Sequence, residues 1–207
     1  MTKNNINDQI AEEKLLILTS FLRNSPFEGW SNNNLYYSAK QNGFSNSYVD
    51  LIFPNKIKDL TLYFNNQQNI LMNENFLKDK KNNELKTHEK IIKLIETKFF
   101  NYSKNKEAIR CLFQYNLLPQ NIISAKKSLW TSCDQIWFLA GDKSTDFNYY
   151  TKRALLAYVY STSLLYFLSD ESLNQQDTSI FIRKKIQEIL KIGDFKKSFM
   201  NFFKKLK

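Results

Sequence analysis

Apolar residues recur at every third or fourth position along most of this chain, while residues that make tight turns are scarce. The 207 residues include four Gly and three Pro. A β-sandwich or barrel needs a turn after each short strand and would use many more of both. Apolar residues make up 43% of the chain, enough to bury a core in one domain or slightly more. The pattern predicts an all-α protein.

The N-terminal third of the chain predicts three short helices and then a longer one. We expect these helices over residues 7–23, 31–40, 45–53 and 55–66, with "NSPFEGWS" ending the first and Ser31 capping the second. The turn "QNGFS" separates the second and third helices, which is the outline of a helix-turn-helix. The segment "NGFSNSYVDLIFPNKIKDL" resembles the DNA-reading part of tetracycline-repressor-type regulators.

The candidate recognition helix, residues 44–53, has the wrong charge for DNA. It contains Asp50 and no Lys or Arg, whereas recognition helices bring cations and amides to phosphates and base edges. Asn46 and Tyr48 could still read bases. A DNA-binding transcriptional regulator is therefore the alternative hypothesis, and our main expectation includes no nucleic-acid partner.

Residues 67–83 are rich in Asn and polar, and we expect a loop there. Beyond them, helical periodicity predicts helices over residues 87–100, 108–117, 121–139, 145–168 and 178–192. Gly193 is placed to end the last of these and is followed by a short terminal helix.

The C-terminal segment is basic and amphipathic. Residues 181–207 hold nine of the Lys and Arg residues against Glu188 and Asp194. Apolar side chains fall on one helical face with lysines around the others, a pattern typical of a helix that lies in a membrane interface. A terminal helix docked on its own core is the alternative. The predicted membrane residues are Phe195, Lys196, Lys197, Phe199, Phe202, Phe203, Lys204, Lys205 and Leu206.

The chain lacks the residue combinations of common catalytic sites. It has one histidine, His88, and two cysteines, Cys111 and Cys133. These cannot supply the paired Glu-x-x-His motifs of a di-iron bundle or the four ligands of a tetrahedral zinc site. No nucleotide-binding glycine loop or nucleophile motif occurs either. We therefore predict a protein that is not an enzyme and has no metal site.

The helix predicted at 145–168 is apolar almost all round. Such a helix is buried on several sides. It could fill a core, form a dimer interface or line an apolar cavity, and its residues alone do not separate these possibilities.

One segment carries a dense resemblance to a known family. The stretch "DQIWFLAGDKSTDFNYYTKRALLAYVYSTSLLYFLSDES" resembles the signature of the accessory lipid-binding proteins of ubiquinone biosynthesis. Weaker similarity is present in "GWSNNNLYYSA", in "LIFPN" and in the basic tail. The family usually has Trp where this chain has Tyr149, which could retune a contact made there.

The resemblance implies a tetracycline-repressor-like helical bundle with a degenerate N-terminal helix-turn-helix and a C-terminal amphipathic helix. It implies a homodimer with a bound isoprenoid or phospholipid and no other cofactor. Its expected partners are isoprenoid quinone lipid, the membrane surface and the di-iron demethoxyubiquinone hydroxylase. Its expected location is the cytoplasmic face of a bacterial inner membrane, or the matrix side in a mitochondrion.

On this reading the chain divides into three parts. Residues 1–66 form the helix-turn-helix-like part, 67–192 the lipid-binding and dimerisation region, and 193–207 the membrane-associating helix. The predicted partner-binding residues are Asp146, Tyr149, Tyr150, Lys152 and Arg153. The predicted lipid-binding residues are Ile136, Trp137, Leu155, Tyr158, Val159, Thr162 and Leu165. For the first set the alternative is that the tyrosines are packed corner residues and the charges form internal ion pairs.

Overall fold

The computed structural model describes the backbone of residues 3–145 and 147–205, and the side chains of residues 7–145 and 148–191. The described backbone folds into α-helices joined by turns and three short 3₁₀ helices, which confirms the all-α prediction. The helices are α1 (Lys3–Glu28), α2 (Asn32–Gln41), α3 (Asn46–Ile52), α4 (Ile57–Lys78), α5 (Thr87–Ser103), α6 (Lys106–Leu117), α7 (Ile122–Leu139), α8 (Phe147–Ser169) and α9 (Gln176–Lys205).

The first of two packing units holds the chain up to Ile70 together with Tyr102–Ser128. Its core is aromatic: the Trp30 ring meets Phe21 and Phe64 edge-on, with centroids 4.9 and 5.6 Å away. The Trp30 indole N–H donates to the Thr61 hydroxyl at 2.7 Å, so its polar atom is satisfied inside the core. Helix α1 packs on α2 and α6 in this unit.

The second packing unit holds Leu71–Asn101 and the chain from Leu129 onward. Phe99 of α5 packs against Tyr160 and Phe167 of α8, each with centroids 5.3 Å apart. Helix α8 also packs along α9, where Tyr166 stacks on Phe181 at 4.5 Å. The three-part division into 1–66, 67–192 and 193–207 stays a prediction.

The helix-turn-helix outline is present in α2 and α3. The hydroxyls of Ser31 and Ser45 cap these two helices by accepting from the N–H groups three residues on. Gly43 turns the chain between them with a φ of +81°, a conformation that glycine adopts without steric cost. The exposed Asp50 of α3 accepts a hydrogen bond from Tyr36 at 2.6 Å. The helix is thus held by an internal contact on its acidic side.

Three sequence predictions of helix ends were wrong. Helix α1 continues through Pro26 to Glu28, beyond the break expected at residue 24. Helix α4 runs to Lys78 through the stretch expected to be a loop, because Met72 and Phe76 are buried there one turn apart. Helix α9 continues past Gly193, which was expected to end it.

No helix in the described part of the chain is long and apolar enough to cross a membrane.

Candidate functional site

The signature segment forms a tight corner between α7 and α8. Helix α7 ends at Leu139, and the N–H of Asp142 donates back to the Trp137 carbonyl at 3.0 Å. Gly141 takes a φ of +88° at this turn, the left-handed conformation in which helices commonly end. The turn brings the first two turns of α8 back beside the last two turns of α7.

Asp142 and Arg153 form a buried ion pair at this corner. The Arg153 guanidinium donates from Nη1 to Asp142 at 3.1 Å, and both side chains are only 4% exposed. Lys152 adds a second cation, with its Nζ 2.7 Å from the other Asp142 oxygen. The Ser144 hydroxyl donates to Asp142 at 2.8 Å and accepts from Lys152 at 2.6 Å. The corner is thus fastened by charge-assisted bonds, the strongest class of protein hydrogen bond.

Asp134 extends this network to the outer face of α7. Its carboxylate accepts from Arg153 Nε at 2.6 Å and from the Tyr149 hydroxyl at 2.9 Å. The Arg153 guanidinium lies 3.4 Å from the centre of the Tyr149 ring, a stacked cation–π arrangement. The Arg153 guanidinium therefore joins α7, the turn and α8.

The protonation equilibria follow this geometry. Burial alone would raise the pKa of Asp142, but the hydrogen bonds from Lys152, Ser144 and Arg153 outweigh burial and lower the pKa to about 2. The hydrogen bond to Asp134 raises the pKa of Tyr149 above its usual value. Asp142 is therefore charged, and Tyr149 neutral, across the physiological range.

The predicted partner-binding residues fall into two groups, those that make internal contacts and one that is exposed to solvent. Tyr149, Lys152 and Arg153 make the internal contacts just described, as the corner-packing alternative expected. Tyr150 is 62% exposed, and its ring lies at a tilt against Trp130, with centroids 6.3 Å apart. Asp146 lies outside the described residues. The partner-binding role stays a prediction, and Tyr150 is the described member best placed to reach another molecule.

The predicted lipid-binding residues also separate into two groups. Ile136 and Val159 are fully buried. Trp137 is half-buried, and its indole N–H donates to the Lys152 carbonyl at 3.0 Å. Leu155, Tyr158 and Leu165 are exposed and lie on one face of α8, where the Thr162 hydroxyl donates to the Tyr158 carbonyl at 2.9 Å. The structure therefore brings an apolar strip to the surface of α8.

Lys98 of α5 is a buried polar group that sequence reasoning missed. Its side chain is 1% exposed, donates to the Ser132 hydroxyl at 2.9 Å and lies over the Tyr160 ring at 5.5 Å. Burial lowers the pKa of Lys98 to about 7. The periodicity of α5 contained the signal, because position 98 continues the buried face marked by Ile91, Leu94 and Ile95.

Among the side chains that the structure describes, no three His, Cys, Asp or Glu residues gather as metal ligands. The predicted membrane residues, Phe195 to Leu206, lie outside the described side chains.

The fold and its corner define a helical protein of the tetracycline-repressor architecture. The chain is similar to the crystal structure of a TetR transcriptional regulator from Nitrosomonas europaea, with a TM-score of 0.69 and 15% identity. That match covers 84% of this chain and 96% of the regulator, and at such low identity it shows the fold alone.

The COQ9 family model matches residues 122–193, which include the whole corner. The chain is 33% identical over 192 residues to the mitochondrial ubiquinone biosynthesis protein COQ9-A of Xenopus laevis, covering 89% of this chain and 60% of that protein. It is 31% identical over 194 residues to COQ9 of Rattus norvegicus, covering 90% of this chain and 62% of that protein.

The chain belongs to the COQ9 family, which confirms the resemblance seen in the signature segment. It spans about three-fifths of the length of these two relatives.

Proposed function

We propose that this chain is a non-catalytic lipid-binding accessory protein of ubiquinone biosynthesis. It binds isoprenoid quinone intermediates at a membrane and presents them to the di-iron demethoxyubiquinone hydroxylase. The support is family membership, since its relatives are named as mitochondrial ubiquinone biosynthesis proteins. The proposal includes a homodimer on the cytoplasmic face of a bacterial inner membrane, or on the matrix side in a mitochondrion.

The observation that carries the lipid part of the proposal is the apolar strip on α8. Leu155, Tyr158 and Leu165 follow one another at intervals of three and seven positions on one helical face and remain exposed in the single chain. Contiguous exposed apolar surface marks ligand, membrane or protein contacts. The buried Val159 lies beside this strip, so a polyprenyl chain seated on the strip would adjoin the apolar core.

The lipid proposal is tested by extraction and lipid mass spectrometry of the purified protein. We expect bound polyprenyl lipid near one per chain, and a loss of about tenfold in the Leu155→Glu, Tyr158→Glu variant because a carboxylate cannot enter an apolar contact. The matched control is Leu173→Glu, which alters an exposed leucine outside α8. A protein free of lipid, or equal lipid in all three proteins, would reject this part.

The partner proposal rests on Tyr150. Tyr150 is an exposed aromatic, and Tyr is among the residues enriched at interface hot spots. It can be changed without removing the Tyr149–Asp134 bond. We expect Tyr150→Lys to weaken co-purification with the hydroxylase by about tenfold or more. Leu173→Lys is the control. Unchanged hydroxylase binding by folded Tyr150→Lys protein would show that the docking surface lies elsewhere.

The DNA-binding alternative predicts a different readout. A transcriptional regulator would shift duplex DNA with a steep dependence on salt. On our proposal the protein produces no such shift, and the acidic α3 described above is the reason.

A further inference from the structure

The turn between α6 and α7 carries a cluster of exposed apolar side chains that the proposed function does not use. Ile123 is 83% exposed and Leu117 is 61% exposed. Leu118 and Ile122, between them in sequence, are also exposed. We call Leu117, Leu118, Ile122 and Ile123 the apolar tip. The COQ9 match begins at residue 122 and covers only part of it.

The tip is held in shape from behind by Asn121. This residue is 3% exposed, and its side chain donates to the Tyr115 carbonyl at 2.9 Å. Its backbone N–H donates to the Leu118 carbonyl at 2.8 Å. The backbone of the turn is thus held by Asn121. Leu117 and Ile123 project mostly into solvent at the ends of the two helices.

A small depression lies beside Asn121 of the turn. Lys58 and Leu62 of α4 meet Tyr115, Asn121 and Ser124 around a depression of about 10 Å³. That volume accommodates about one water molecule. This depression is therefore too small to receive a partner's side chain.

The charges around the tip have one sign. Lys126 and Lys127 follow one turn into α7 and are exposed, as is Lys58 at the edge of the depression. The chain contains no Asp or Glu between Glu107 and Asp134. Two carboxylates of the same unit are engaged in other contacts, because Asp59 accepts from the Asn55 backbone at 2.7 Å and Glu107 pairs with Arg110 at 3.1 Å. An anionic surface would meet apolar groups and cations here and little repulsion.

We propose that the apolar tip is a membrane contact that inserts Leu117 and Ile123 among the headgroups of an anionic bilayer, with Lys126 and Lys127 against lipid phosphates. Apolar side chains and adjacent lysines each add to interfacial binding, and the two together give reversible attachment. The proposed contact uses residues outside the C-terminal tail and outside the α8 strip. It does not depend on the proposed function being correct.

The experiment uses the full chain with vesicles of phosphatidylcholine, with and without phosphatidylglycerol. We expect Leu117→Glu, Ile123→Glu to weaken binding to the anionic vesicles by about tenfold or more, since two apolar contacts are lost and two like charges gained. The matched control is Phe27→Glu, which changes an apolar residue of the same unit that is 89% exposed. This control should bind as the unchanged protein does.

Amide hydrogen exchange separates the tip from the tail. On anionic vesicles we expect slower exchange in residues 113–128 of the unchanged protein, and also in a Phe199→Glu, Phe203→Glu tail variant at raised vesicle concentration. Unchanged exchange in 113–128 on vesicles, or equal binding by the tip variant and the Phe27→Glu control, would overturn the proposal. Loss of self-association in the tip variant without loss of vesicle binding would overturn it too, since it would identify a second copy as the occupant.

Discussion

Two buried cations of the second packing unit, Arg153 and Lys98, have pKa values shifted in opposite directions. Arg153 lies between two carboxylates, and these raise its pKa further above the usual value although burial opposes them. Lys98 lies against a hydroxyl and a ring, and burial lowers its pKa to about 7. Burial penalises both charges, and the carboxylate partners decide whether the charge survives. The corner is therefore built to keep its charges, whereas the Lys98 pKa of about 7 leaves the charged and neutral amine close in free energy at neutral pH.

Removing the corner cation should have the largest effect on stability. Arg153→Met leaves Asp142 buried with one of its cations lost, and breaking such a pair costs about 3–5 kcal/mol. Urea unfolding at neutral pH measures the free energy of unfolding. Lys152→Met is the matched control, since Lys152 is 37% exposed and its loss should cost about 1 kcal/mol or less. Equal losses in the two variants would mean that the buried pair does not fasten the corner.

Removing the other buried cation, Lys98, should instead raise the free energy of unfolding. The folded pKa of Lys98, about 7, lies below its usual 10.5, so folding is penalised at low pH and the penalty shrinks as pH rises from 7 towards 10.5. Lys98→Met should therefore be more stable than the unchanged protein by roughly 1–4 kcal/mol at pH 6. The advantage should decrease by up to about 1.4 kcal/mol per pH unit above pH 7.

Denaturation at pH 6 and pH 9 tests this sign. Lys93→Met on the exposed face of α5 serves as the control and should show little difference at either pH. If Lys98→Met is destabilised equally at both pH values, the amine is held by its hydrogen bonds rather than penalised by burial.

Removing the buried carboxylate of Asp170, which follows α8 and bonds the first turn of α9, should change stability least of the three. Asp170 accepts from the N–H groups of Ser172 and Thr178 at 2.7 and 2.9 Å and from the Thr178 hydroxyl at 2.5 Å. Burial alone would raise its pKa, but these bonds lower it to about 2. Asp170→Ala should cost about 1–2 kcal/mol, the range of a lost helix cap.

The cost of Asp170→Ala should depend on acid in a defined window. A lowered carboxyl pKa supplies stability above the unfolded pKa, near 4, and this stability is lost as the pH falls towards 2. The difference between Asp170→Ala and the unchanged protein should therefore shrink between pH 4 and pH 2 in thermal unfolding. Asp177→Ala, at an exposed position in the first turn of α9, is the comparison. A difference that stays constant through the window would assign the loss to packing.

The sequence predicted the fold class and most helices because these depend on local periodicity. It failed where distant residues replace local bonds. Asn34 of α2 donates to the Phe21 carbonyl within α1 and to the Gly29 carbonyl just past its end. These contacts come from another helix, and the local sequence of α1 does not reveal them. In α4 the polar composition of residues 67–78 suggested a loop, but Gln68 and Asn69 are buried by packing that no local pattern reveals.

The candidate site was located by its motif, but the functions of its residues could not be read from the motif. The residues of the motif are compatible both with a docking surface for a partner and with an internal cluster of ion pairs. Which of them faces outward depends on the Gly141 turn, which directs Arg153 towards Asp134 and Asp142 and leaves Tyr150 outside. At Lys98 the helical periodicity indicated a buried position, but lysine is rarely buried, so the sequence did not predict its burial.

The ion pairs of Arg153 with Asp134 and Asp142 hold α7, the turn and α8 together, as a disulfide bond could, but they involve no cysteine. Cys133 stands next to Asp134 in α7, and burial raises the pKa of its thiol to about 12, so it offers almost no thiolate for exchange. Reductants and thiol reagents should therefore leave this fastening intact, while strong acid should release it by protonating Asp142. A chain fastened in this way keeps its corner closed whatever the redox state of its surroundings.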